Sequence, residues 1–228
     1  LGDVYKRQSL WESLESSGEI SIHELFYNPN YDIDGATSKL DIPELLYVAC
    51  RGGWPATLQM KPKAAMLIAK DYVNSVCEND ISAVDGRQRN PKVARQILRS
   101  YARNVSTLAK KTSILADVTA SEDITLTMNT YDDYISALER LFVIQDIDAW
   151  CPAIRSKTSL RSAPKRCFVD PSIAVAAMNI SVEEMETQLK TFGFIFEQMC
   201  IRDLKIYTAD FNSRISYYRC LLYTSPSP

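Results

Sequence analysis

Apolar residues recur at helical spacing along most of the chain, and the interruptions mark where elements start and stop. After a turn at Ser16-Ser17-Gly18, a short apolar rhythm runs through Ile20, Ile22, Leu25 and Phe26. NPNYDIDGATSKL reads as loop from its Asn, Pro, Asp and Gly content. Pro43 suits the first turn of a helix through Cys50, which Gly52-Gly53 stops before Trp54-Pro55. Ala64 to Val76 predicts a second helix, with Met66, Ile68, Ala69, Val73 and Val76 as its apolar positions. Pro91 opens a third, with Val93, Ile97, Leu98 and Tyr101 on one face. Ser106-Thr107 is a cap for a further helix to about Val118. Beyond TASED, an amphipathic helix carries Tyr131, Tyr134, Ile135, Leu138, Leu141 and Phe142 on one face. Val143 to Trp150 and Arg166 to Val169 read as short strands joined by a polar, basic loop. Three helices followed by a strand pair is the order of a winged helix-turn-helix. An alanine-rich helix then follows Asp170-Pro171, a linker lies near Ser181, and a longer helix runs from about Glu183 or Leu189 to Leu204. RISYYR (Arg214 to Arg219) reads as an edge strand without neighbours, and so as poorly ordered. The pattern predicts a mostly α fold with short β-strands.

Composition narrows the chemistry. The 228 residues are 46% hydrophobic and 24% charged, which suits a globular fold and excludes collagen-like or low-complexity chains. No apolar run approaches the roughly 18–20 residues that cross a bilayer, so a soluble, cytoplasmic chain without a membrane partner is expected. A single histidine, His23, leaves no material for an internal Ser-His-Asp triad or a two-histidine metal site, and it reads as a surface or half-buried polar residue. The six cysteines never form a C-x-x-C pair, and free thiols are expected. None of the seven glycines stands in a P-loop or a G-x-G-x-x-G fingerprint, so no nucleotide phosphate cradle and no cofactor are expected in this chain.

Charge is unevenly distributed under a formal net of −2. Gly86 to Ala116 holds eight bases and no acid, among them Lys92, Arg95, Arg99, Arg103, Lys110 and Lys111. Ala149 to Val169 holds five bases and no acid, including Lys157, Arg161 and Lys165. Lys92, Arg95, Arg99 and Arg103 share one helix face at spacings of three and four. Such a stripe either meets nucleic-acid phosphates, with binding that weakens as salt rises, or forms a solvated face or one docked on the acidic N-terminal part. The basic loop from Arg155 to Arg166 reads equally as a wing against DNA or as a surface loop. Against DNA stand Asp132, Asp133 and Glu139 on the third helix, because carboxylates repel phosphate in the major groove.

Five strings in order resemble a family of prokaryotic AAA-type ATPases whose C-terminal half is described as domain of unknown function 4143. They are SLWESLESSGEISIHELF, RGGWP (Arg51 to Pro55), LRSYARNVSTLAKKTSILADV with ITLTMNTYDDYISALERLFVIQDIDAW, PKRCFVDPSIAVAAM, and GFIFEQMCIRDLKIY. The resemblance covers about Ser9 to Arg219. It implies the end of an AAA core and a helical lid-like segment over 9–85, a winged helix over 86–170, and a truncated restriction-endonuclease-like α/β start over 171–219. Residues 1–8 and 220–228 resemble translated sequencing-adapter read-through, and the chain is therefore expected to be a fragment. ATP and Mg²⁺ are implied for the ATPase core of the parent, with DNA, that core or another protein as the partner of this part. By the same resemblance Glu197 stands where the first helix of the nuclease-like core carries its glutamate, and a lone carboxylate is no Mg²⁺ site, so catalysis here is not expected. Arg51 could reach a nucleotide or a neighbouring subunit, although such a motif is more often structural, with glycines for a tight turn and the tryptophan packed beside it.

Overall fold

The computed structural model describes residues 7–120, 124–151, 162–211 and 213–218. It is mostly helical. In chain order the helices are α1 (Ile22–Tyr27), α2 (Ile42–Arg51), α3 (Pro62–Ser75), α4 (Ile81–Ala83), α5 (Pro91–Arg103), α6 (Lys111–Thr119), α7 (Met128–Arg140), α8 (Pro171–Met178), α9 (Val182–Glu186) and α10 (Leu189–Tyr207). A 3₁₀ turn (Pro55–Gln59) precedes α3, and a π turn (Val76–Asp80) joins α3 to α4.

Local chemistry explains where these helices begin. Asp41 accepts from the Glu44 N–H at 2.8 Å while the Glu44 carboxylate accepts from the Asp41 N–H at 3.0 Å. That reciprocal pair satisfies two donors the first turn of α2 would otherwise strand. Asn90 caps α5 through the Lys92 N–H (2.9 Å), Thr127 caps α7 through Thr130, and Asp170 caps α8 through Ser172 (2.9 Å). Proline opens α5 and α8 at the first turn, where its missing N–H costs nothing. Helices α3, α6 and α10 start without a side-chain cap, and of these α6 departs from the sequence reading. It starts at Lys111 without a side-chain cap, later than Ser106-Thr107 predicts. Those two residues instead form a turn, with Ser106 at φ +59°, that pairs on both sides of Arg166: the Ser106 N–H donates to the Arg166 carbonyl (2.8 Å), and the Arg166 N–H donates to the Thr107 carbonyl (2.9 Å).

The centre of the core is α8. PSIAVAAM has almost no polar face, and a helix apolar all round must be covered on every side. Its small side chains let α2, α3, α5 and α10 approach closely, and Ile173, Ala174 and Val175 are buried among them. Tyr131, Tyr134, Ile135 and Leu138 bury the inner face of α7 in the same cluster, as do Ala94, Ile97, Leu98 and Tyr101 of α5.

The predicted strands shrink to isolated pairings. Ile144 pairs antiparallel with Phe168, and Ile147 with Lys165. The ladder does not lengthen because the Cys167 N–H is taken by the Asp146 carboxylate (3.0 Å) rather than by the opposite backbone. The RISYYR segment is not without a neighbour: Tyr217 pairs in parallel with Ala149, and the Trp150 N–H donates to the Tyr217 carbonyl at 2.8 Å. Phe142 also departs from its predicted place on the inner face of α7. The helix ends at Arg140, and Phe142 turns out into solvent at φ +53°. No helix among the described residues is long and apolar enough to cross a membrane.

Candidate functional site

The RGGWP turn is built into the core. Gly52 ends α2 at φ +77°, and a Cβ there would collide with Asp170 Oδ1 and Ser172 Oγ. The Gly53 N–H donates to Asp170 Oδ2 (2.9 Å), and Trp54 Nε1 donates to Ser172 Oγ (2.8 Å). Arg202 of α10 reaches the same carboxylate (3.1 Å) and forks to Asp203 (2.8 Å), whose other oxygen accepts from the Leu10 N–H (3.0 Å). Burial pushes Asp170 upward, but Arg202, Ser172 and the Gly53 N–H outweigh it and hold the carboxyl below its ordinary value. Burial raises Asp203 against the opposing pull of Arg202. Arg51 lies in this junction with 6% of its side chain exposed: it donates through both terminal nitrogens to Glu15 (2.6 and 2.8 Å) and through Nε to the Gly52 carbonyl. Gln8, from the segment that resembles read-through, docks here too, its N–H donating to the Gly53 carbonyl at 2.7 Å.

The basic residues named from sequence fall into two groups. Arg95 pairs with Glu78 (2.7 Å), Arg103 with Asp117 (2.9 Å), Lys111 with Asp132 (2.7 Å), and Lys165 with Glu197. Lys92, Arg99 and Lys110 are exposed on α5 and just before α6, with no acid paired to Arg99 or Lys110 among the described residues. Lys157 and Arg161 lie outside the described residues. On α7, Asp133 is shared by Arg87 and the buried Arg89, which also forks to Asp85. The side-chain hydrogen bonds from Arg89 hold both Asp85 and Asp133 below the ordinary carboxylate range.

Two open grooves result. The first, about 440 Å³, lies between α3, α5 and the end of α8, and gathers Lys70, Arg95 and Arg99 with Asn74, Gln96 and Asn179. Lys70 Nζ donates to Asn179 Oδ1 (3.3 Å), and Arg95 donates to Asn74 Oδ1 (2.5 Å). Sequence reasoning missed Lys70 on α3 and Asn179 just past the end of α8, both on elements other than α5. The second groove, about 630 Å³, runs along α7 and the segment after it. Its polar lining includes Lys111, Asp132, Glu139, Asp146, Asp148 and Arg166, over an apolar floor of Ile135, Ile144 and Pro164. At its base Asp146 accepts from the Tyr101 hydroxyl and from Arg166 (2.6 Å). The Tyr131 hydroxyl is buried nearby without a hydrogen-bond partner among the described residues, within electrostatic reach of Arg166, Asp146, Asp132 and Glu139.

Other chemistry is scarce. Glu197 is half-buried, held by Lys165, and belongs to no cluster of three or more potential metal ligands among the described residues. Cys50, Cys77, Cys151, Cys167 and Cys200 are free. Burial pushes the Cys50 and Cys167 thiols up to about 12 and Cys77 to about 11, far from the thiolate that nucleophilic chemistry needs. His23 sits exposed against Tyr27 and Phe211.

A comparison with curated proteins and with solved structures finds no match. A family model does match, over residues 42–184, the stretch from α2 through the first turn of α9 that contains both grooves and the RGGWP–Asp170 junction. The chain therefore belongs to the family described as a domain of unknown function (DUF8612).

Proposed function

We propose that this chain is a non-catalytic docking module, in which α5, α6, α7 and the paired segments after them play the part of a winged helix that binds protein rather than DNA. The wider setting we propose is the one its sequence resemblance implies, an AAA-type ATPase whose core binds ATP and Mg²⁺ while this part holds the partner. One observation carries the docking reading. The helix that a DNA-binding winged helix lays in the major groove is here α7, and it presents Asp132, Asp133 and Glu139. The cations that would offset that charge are engaged within the chain: Lys111 on Asp132, Arg87 and Arg89 on Asp133. The exposed pairs among these, Lys111–Asp132 and Arg87–Asp133, contribute little to stability, but a phosphate must compete with a carboxylate already in place for each cation.

A second reading rests on a different observation. The groove between α3 and α5 assembles Lys70, Arg95 and Arg99, and Arg99 has no ionic partner among the described residues, which suits a nucleic-acid backbone or another polyanion. Titration of the chain into a labelled DNA duplex, followed by anisotropy at low and at physiological salt, separates the two. The docking reading expects no saturable binding at physiological salt. Binding that weakens steeply with salt and is lost in an Arg95→Glu/Arg99→Glu variant would replace it with the second. The ATPase setting is tested by reading the source DNA past both ends of this sequence: a Walker A motif upstream supports it, and an unrelated reading frame removes it.

A further inference from the structure

Phe142 has a combination of properties that local structure does not explain. It stands just past the end of α7 at φ +53°, a backbone region that strains any side chain with a Cβ and that glycine fills without penalty. A large aromatic there would be understandable if it filled the core. Instead it is 73% exposed and packs into neither hydrophobic cluster. Strained residues held in such positions concentrate where a ligand is met. Leu14 has a similar backbone and exposure, but Phe142 differs in lining the larger groove.

The charges in that groove identify what Phe142 could meet. Four carboxylates and two cations line it. Asp132 is matched by Lys111, Asp146 by Arg166, and Asp148 by Arg214. Glu139 is the lining carboxylate left without an ion pair among the described residues, and its carbonyl accepts the Phe142 N–H at 3.0 Å, so the two residues are neighbours in the groove lining. Partial burial and the charge of Asp146 push Glu139 above its ordinary value, against the opposing pull of Lys111 and Arg166. Both lining cations already have carboxylates, so a phosphate would find no unpaired partner here. A cation would find Glu139.

We infer that the Phe142–Glu139 groove seats an arginine side chain of a partner protein, with the guanidinium stacked on the Phe142 ring and forked to Glu139 while its aliphatic stem lies on Ile135 and Ile144. Arginine fits better than lysine because its flat, weakly hydrated guanidinium stacks on an aromatic face and donates through a fixed fork. The aromatic ring at positive φ is thus held in solvent for the partner. The inference deepens the docking reading of α7 and names the chemistry that α7 reads.

The test is a titration of the ¹⁵N-labelled full chain with capped Ala-Arg-Ala, Ala-Lys-Ala and Ala-Leu-Ala peptides. The arginine peptide is expected to shift the amides of Glu139, Phe142 and Gln145 saturably in the millimolar range, the lysine peptide several-fold more weakly, and the leucine peptide not at all. Glu139→Gln and Phe142→Gly should each abolish the arginine response. Phe142→Gly should also leave the melting temperature unchanged or raise it, whereas an aromatic kept for packing would lower it on removal. Equal responses to arginine and leucine, no response to any peptide, or a fall in melting temperature with Phe142→Gly would each overturn the assignment. So would an arginine response that emerges only when Arg155, Lys157 and Arg161 are changed to serine, because the chain's own loop would then be the occupant. DNA binding through Arg95 and Arg99 would remove the docking reading and leave this titration to stand or fall separately.

Discussion

The junction around Asp170 and the groove beside Phe142 are both rich in charge, and they treat it in opposite ways. At the junction the central charges are enclosed and paired: Asp170 accepts from Ser172, Gly53 and Arg202, and Arg51 is forked to Glu15. At the groove Lys111, Glu139 and Asp148 are open to solvent, Glu139 lacks an ion pair among the described residues, and an aromatic ring is held out of the core on a strained backbone. The comparison separates polar groups that hold a fold from polar groups that await a partner. Saturated ones should reveal themselves in stability, unsaturated ones in binding.

The largest expected effect is at the junction. Arg202→Met leaves Asp170, wholly buried, without its cation, and breaking one side of a buried pair costs about 3–5 kcal/mol. Urea denaturation should find the variant near or past unfolding, and a shift below about 1 kcal/mol would mean that Asp170 is not held as described. Gly52→Ala comes next. It places a Cβ against Asp170 and Ser172 at positive φ, and a loss of about 1–3 kcal/mol is expected by the same measurement.

A pH series sharpens the contrast further. Asp170, Asp85 and Asp133 all have folded values below the ordinary carboxylate range. Each therefore contributes stability that is fully present above the unfolded carboxyl value near 4 and is lost as pH falls through the depressed folded value. Melting temperature should drop across that acid window, and an Asp85→Asn/Asp133→Asn variant should begin less stable and fall less steeply. The smallest effect belongs to the groove. Glu139 is raised, by partial burial and then by Asp146, so its ionised form disfavours folding slightly at neutral pH. Glu139→Gln should be neutral or stabilising at pH 7, within about 0.5 kcal/mol, with any gain fading in acid as the native carboxyl takes up its proton. A marked loss of stability would place Glu139 with the junction groups instead.

How legible this molecule was depended on range along the chain. Helix starts were readable because their signals are local: Asn90-Pro91 and Asp170-Pro171 each place a capping side chain and a proline where the structure begins a helix. The buried faces of α5 and α7 were readable from period alone, as Ile97, Leu98, Tyr101, Tyr131 and Leu138 show. Phe142 was misread because the same period was carried two residues past the helix end, where positive φ swings the chain outward. The strand pair was overestimated because no periodicity announces that Asp146 will take a backbone N–H. The candidate sites were less legible still. The basic stripe on α5 was visible, but not that Glu78 and Asp117 would partner Arg95 and Arg103, nor that Lys70 and Asn179 would line one groove with Arg95 and Arg99. Those are facts of tertiary placement, joining residues on separate helices.

The burial of α8 at the centre of the core has a consequence for how the chain is made. Helices α2, α3 and α5 leave the ribosome well before Pro171–Met178, the segment against which all three pack. At about 5–20 residues per second, their apolar faces wait on the order of ten seconds for the helix that covers them. Those faces are open to holding factors over that interval, and this core can close only once the alanine-rich helix emerges.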